Sequence, residues 1–241
     1  KIPVNIVWCD GGGCAGGESL GLSPMMTEAA FYTATRAGDP IAWLVGEHEV
    51  FHFQQFKYWS INDPAVGWVH EGQARMSQDK VCIGADRATA LCFDDIAGGS
   101  AGYVPEVNNY LGNTAQSLTR QEYSSALFWA YMTEKFGSSP AGDAVEGGMN
   151  FISDFWKTSA TIPNQDGITI INLTLMGKGS SMRFRDIWKD FAVANYAKNL
   201  TGAGVPDKYK YADMAQAGGA YNQVTFAVDQ NLPLNTPFLR I

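Results

Sequence analysis

The chain holds three histidines, and all of them fall within residues 48–70. Two of them, His48 and His52, stand four apart in the stretch "GEHEVFHFQQF", with Glu49 directly after the first. A helix advances about 100° per residue, so positions 48 and 52 share one face, one turn apart. Both imidazoles can then reach the same metal ion. Glu49 is displaced sideways, poorly placed to share that ion but well placed beside a water held by it. Neutral imidazole suits zinc, and a carboxylate beside such a water can act as a general base. Two histidines on an ordinary amphipathic helix give the same spacing, so the pair alone decides nothing.

A catalytic zinc needs a third protein ligand and an open position for water. Glu71, in "GWVHEGQARM", follows His52 with eighteen residues between them. Asp63 and Pro64 have the form of a helix start, and a tight turn at residues 60–63 would fold that helix back beside the first. Gly72 and Ala74 next to Glu71 are small, which is expected to let these two helices approach closely. The expectation is therefore one zinc ion on His48, His52 and Glu71, with Glu49 as base. His70 stands directly before Glu71, about 100° round the helix from it. It reads as a polar neighbour of the ligand, a substrate contact or a second hydrogen-bond donor. Gln54 and Gln55, just past His52, read either as cleft lining or as a solvated helix face.

The elements around these residues are mostly helical. "KIPVNIVW" alternates Ile2, Val4, Ile6 and Trp8 and reads as a strand, followed by the Gly-rich loop "CDGGGCAGGES". Ser23 and Pro24 open an expected helix in "SPMMTEAAFYTATRAG", and Asp39 and Pro40 open the longer one that carries His48 and His52. Thr119 and Glu122 have the spacing of a capping box at the start of "RQEYSSALFWAYMTEKFG", which should stop at Gly137. In "SMRFRDIWKDFAVANYAKN" the residues Phe184, Ile187, Trp188 and Phe191 fall on one side of a further helix. Beyond residue 200 the chain is rich in Gly, Pro and Asn, and only "YNQVTFAV" looks like a strand. The expected architecture is one domain over residues 1–241. It comprises a strand and loop over 1–22, a helical core over 23–200 and an irregular segment over 201–241.

Apolar residues make up 46% of the chain and the net charge is −7, which fits a globular core and speaks against a nucleic-acid binder. No apolar run reaches the length of a membrane span. The four cysteines form two close pairs, and the simplest reading is two local disulfides, Cys9 with Cys14 and Cys82 with Cys92. That pairing implies a secreted or extracytoplasmic setting. The start at Lys1 suggests a processed or trimmed chain. Asn172 and Asn199 each begin an "NLT" of the form glycosylated in secreted proteins.

"HEVFH", eighteen residues, then "EGQA" resembles the gluzincin metallopeptidases, which include the thermolysin-like enzymes and the aminopeptidase family that also holds leukotriene A4 hydrolase. The surround formed by Trp68, Glu71, Gly72 and Ala74 is similar to the aminopeptidase branch. The resemblance covers roughly residues 39–137. It implies an α+β, predominantly helical, thermolysin-like zincin domain with a small N-terminal sheet. It also implies zinc on His48, His52 and Glu71, Glu49 as general base, and a peptide or protein substrate. The oxyanion donor of such enzymes is commonly a Tyr or His, and Tyr123 in "YSSALFWAYMTEKFG" occupies a broadly similar place, with Tyr131 and His70 as alternatives.

Two departures from the family pattern bear on function. Thermolysin-like members carry a carboxylate four residues after the glutamate ligand; here that position is Arg75, and Asp79 is a candidate substitute. The aminopeptidases hold a substrate's N-terminus with a Gly-x-Met-x-Asn motif upstream of the histidines. The nearest likeness here, "GGMN" at residues 147–150, lies about a hundred residues downstream and reads as a turn. Glu18 is the one other candidate for binding an amine. An endopeptidase is therefore expected over an aminopeptidase. The competing readings are an inactive binding protein on the same fold and a zinc hydrolase of a non-peptide substrate.

Overall fold

The computed structural model describes residues 4–8, 29–33, 48, 50–52, 54–55, 58, 61, 65–86, 103–113, 116–138, 148–197 and 206–211. These residues are predominantly helical. Residues 48, 50–52, 54 and 55 are helical and are called α1. They are followed by α2 (Gly67–Asp86), α3 (Tyr103–Gly112), α4 (Ala126–Phe136), α5 (Met149–Thr161), α6 (Gly167–Gly177) and α7 (Phe184–Ala197). Strand β1 (Val4–Trp8) pairs in parallel with β2 (Ala29–Thr33), Val4 opposite Ala29 through to Trp8 opposite Thr33.

Strand β2 corrects the helix expected from Ser23. The run "AAFYT" carries aromatic and β-branched side chains that favour an extended chain, and pairing with β1 overrides the Ser-Pro helix signal. The 20 residues between the strands are long enough for the crossover that parallel pairing requires.

Helix α2 is the centre of the fold. Its residues 68–70 and 72–80 are buried on every side, with Trp68, Val69 and Met76 in the main apolar cluster. Helix α4 lies against it, and its residues from Ala126 to Thr133 are all buried. The indole of Trp68 stacks on that of Trp129 at 5.3 Å between ring centroids. The Trp68 carbonyl accepts hydrogen bonds from Ser125 Oγ and from Trp129 Nε1, both at 2.7 Å. Gly72 makes this approach possible. A Cβ there would lie 1.9 Å from Ser125 Oγ and 2.9 Å from Trp129 Cδ1. The small residue beside Glu71 thus serves the packing of α2 on α4.

The capping box expected from Thr119 and Glu122 does not form. Thr119 lies in a 3-10 turn (Leu118–Arg120), a second such turn follows (Tyr123–Ser125), and α4 starts only at Ala126. The competing interaction is the one just described: Ser125 at the N-cap turns its hydroxyl to the carbonyls of Trp68 and Glu122 instead of capping the helix. The expected stop at Gly137 holds, and a Cβ there would sit 2.1 Å from Gly148 Cα, where α5 begins. Gly148 has φ +93 and lies in a turn, while Met149 and Asn150 of the "GGMN" stretch open α5. In α7, Ile187 and Phe191 are buried, while Phe184 and Trp188 pack partly buried against the same core, as their spacing predicts. Asn172 on α6 is half-buried and accepts a hydrogen bond from the Phe184 amide, which fixes the start of α7. The expected strand "YNQVTFAV" and Asn199 lie outside the described residues.

Gly72→Ala should lower unfolding stability by about 1–3 kcal/mol, the usual cost of forcing an extra methyl into a tight contact. Urea denaturation measures it; a loss under about 0.5 kcal/mol would mean that the α2–α4 contact yields freely.

Candidate metal centre

His48 and His52 occupy successive turns of α1, and Glu71 faces them from the second turn of α2. The Nε2 atoms of His48 and His52 are 3.0 Å apart. Glu71 Oε2 lies 3.0 Å from His48 Nε2 and 3.4 Å from His52 Nε2. Zinc bonds to nitrogen and oxygen at about 2.0–2.2 Å, so tetrahedral ligand atoms stand roughly 3.3 Å from one another. The three separations fit that requirement before any adjustment, and the three atoms converge on one point. Both histidines are almost fully buried, at 6% and 4% exposure, whereas the Glu71 side chain is 27% exposed. Glu71 is thus the most exposed of the three groups. Glu49 lies outside the described residues.

The electrostatics match a cation site. Burial pushes the His48 imidazole down to about 4, against the opposing hydrogen bond with Glu71. Burial also works against ionisation of Glu71, but its hydrogen bonds and charge interactions with His48 and His52 outweigh this and hold its carboxyl well below the usual range. Near neutral pH His48 is thus a neutral imidazole and Glu71 an ionised carboxylate, the forms in which these groups bind zinc.

Tyr123 is the tyrosine that the fold brings here. Its ring lies 5.8 Å from that of His48, tilted by 34°, and the residue is 37% exposed. Burial of its hydroxyl, followed by the neighbouring Glu71 charge, pushes it up to about 12, so it stays protonated as a donor. The 3-10 turn pinned by Ser125 to Trp68 supplies its position. Tyr131 is buried in α4 instead and donates to the Lys208 carbonyl at 3.0 Å. Arg75, one turn beyond Glu71, is buried with its guanidinium 4.8 Å from the Tyr123 ring centroid, and it donates to Gln78 at 2.9 Å.

His70 is buried behind the cluster, its ring 6.2 Å from His52 and 5.8 Å from Trp156. Burial, with His52 nearby, pushes it down to about 3. Gln54 is exposed, while Gln55 is fully buried with its Oε1 2.7 Å from His52 Nδ1. That contact belongs to a ligand's supporting partner, a role the sequence reading sought in Asp79. Asp79 is itself buried two turns along α2 from Glu71. The signal for Gln55 was available, since a position three after a helical histidine lies beside it on the same face. Cys9, Cys14 and Cys92 lie outside the described residues, as does Glu18. Cys82 is placed only as a residue of α2, so the expected disulfides have no structural description.

No family model, curated protein or solved structure matches this chain. Among the described residues, no helix is long and apolar enough to cross a membrane.

A cation that binds only the folded chain stabilises it by mass action. Zinc at about a thousand times its dissociation constant should add about 4 kcal/mol to unfolding stability. His48→Ala or His52→Ala should remove that increment. Urea denaturation of each protein with and without zinc checks this, and a parent protein indifferent to zinc would rule the centre out.

Proposed function

We propose that this chain is a zinc-dependent peptidase with a thermolysin-like zincin fold, including the small N-terminal sheet of such domains, and that it acts as an endopeptidase. The observation that carries the reading is the convergence of His48 Nε2, His52 Nε2 and Glu71 Oε2 within bonding reach of one ion. Supporting it is Tyr123, a partly exposed residue whose hydroxyl is held protonated beside those ligands. The sequence adds Glu49, next to the first ligand.

Bound at this point, zinc would supply Lewis acidity, lowering the pKa of its water to roughly 7 and polarising the scissile carbonyl. Glu49 accepts a proton from the attacking water as the new C–O bond forms. It then delivers that proton to the amine as the C–N bond breaks. Tyr123 donates a hydrogen bond to the carbonyl oxygen as negative charge develops on it. The endopeptidase assignment rests on the sequence order: the stretch nearest to an amine-binding motif leads into α5 after the histidines. Secretion is proposed from the paired cysteines alone.

Cleavage of a mixed peptide library by the zinc-loaded protein, lost with a chelator and restored by zinc, is the expected result. Glu49→Gln should retain zinc yet lose turnover; full activity in that variant would overturn the assignment of the base. Tyr123→Phe should lower kcat about 100- to 1000-fold, the typical loss for an oxyanion donor, with KM little changed. Undiminished kcat would remove Tyr123 from the chemistry. Zinc binding without cleavage of any peptide would favour a binding protein or a hydrolase of another substrate.

A further inference from the structure

A chain of buried hydrogen bonds runs from Trp156 on α5 through Gln73 and Gln55 to the metal ligand His52. Its polarity is not free to vary, because groups along it have only one role. An indole N–H can only donate, and a backbone carbonyl can only accept. Trp156 Nε1 stands 2.7 Å from the Gln73 side chain, so the atom facing it must be the amide oxygen. The Gln55 side chain meets that same oxygen at 3.4 Å and the His70 carbonyl at 3.1 Å. Two acceptors on one side require the NH2 of Gln55 there, which places its Oε1 towards His52. That oxygen is 2.7 Å from His52 Nδ1, so Nδ1 must carry the proton. The orientation of both amides and the form of the ring follow from the two fixed groups.

We infer that Gln55 is a positioning residue that holds His52 with its proton on Nδ1 and its Nε2 lone pair turned to a divalent cation. The relay from Trp156 and the His70 carbonyl in turn fixes Gln55. This rests on the metal-centre reading and deepens it, because it names the group that prepares one of the ligands. The relay keeps the His52 Nε2 lone pair on the side where His48 Nε2 and Glu71 Oε2 lie, 3.0 Å and 3.4 Å away. His52 is therefore a prepared ligand.

The test uses the whole chain labelled with 15N-histidine, whose three rings give three sets of ring signals. Metal-free protein should show His52 with Nδ1 protonated, and zinc should leave that form unchanged while shifting its Nε2 signal. A His52 ring protonated on Nε2 in the metal-free protein overturns the inference. The second measurement is zinc affinity by chelator competition. Gln55→Leu should weaken it about 10- to 100-fold, as loss of a ligand's outer partner does. Gln55→Glu keeps an acceptor for Nδ1–H but loses the donor to the His70 carbonyl, and should lose less affinity than Gln55→Leu. Parent-like affinity in Gln55→Leu, or equal losses in both variants, rejects the positioning role while leaving the zinc site intact. Should Gln55→Leu not fold, the ring signals still decide. A parent chain that binds no zinc removes both the inference and the metal centre.

Discussion

The carbonyl oxygen of Trp68 is the joint on which the site depends. It lies in the first turn of α2, three residues before Glu71, and takes hydrogen bonds from Ser125 and Trp129 across the seam with α4. Each such bond is worth only about 0.5–1.5 kcal/mol net, but leaving those buried donors unpaired would cost more. The two donors are four residues apart, so one carbonyl fixes both the axial position and the rotation of α4 against α2. Trp68 stacked on Trp129 fills the space beneath, and Gly72 leaves room for it. Through this joint the 3-10 turn with Tyr123 and the helix with Glu71 become one rigid unit.

A second constraint is the polarity of α2. A helix buried on all sides is ordinarily apolar, yet this one buries Gln73, Arg75, Gln78, Asp79 and Lys80 beside His70. Unpaired, each would oppose folding by a few kcal/mol. Several are committed to partners that the site uses: Gln73 to Trp156 and Gln55, Arg75 to Gln78 and the face of Tyr123. Buried polar networks of this kind contribute less to stability than to the choice of one arrangement. Here the arrangement chosen is the one that aims two imidazoles and a carboxylate at one point.

How far the sequence disclosed this depended on the range of the interactions involved. His48, His52 and Glu71 were legible because helical periodicity and a single interval place them. Helix α7 was legible because its apolar face repeats with the helical period. Helix α5 carries the same period in Phe151, Ile152, Phe155 and Trp156, but no capping side chain marks its start after Gly148. Strand β2 and the displaced start of α4 were not legible locally. Each is decided by a partner far along the chain: β1 in the first case and the Trp68 carbonyl in the second. Gln55 shows the limit most clearly. Its contact with His52 is local, but the sense in which its amide points is set by Trp156, 101 positions away by number (156 − 55).

The site has a closed side and an open side, and the division follows from the same packing. His48, His52, Gln55 and His70 lie inward, where α1 and α2 meet and α5 closes the layer. Glu71 and Tyr123 remain partly exposed. Among the described residues the carboxylate and the phenol thus form the more exposed side of the cluster, with the Arg75 guanidinium 4.8 Å from the phenol ring centroid. That cation repels positive charge in its neighbourhood and favours negative charge. The ionised Glu71 has the opposite effect one helical turn away. A group that gains negative charge between a held cation and Tyr123 would be stabilised from both directions. The inward side, by contrast, is built to keep His52 still.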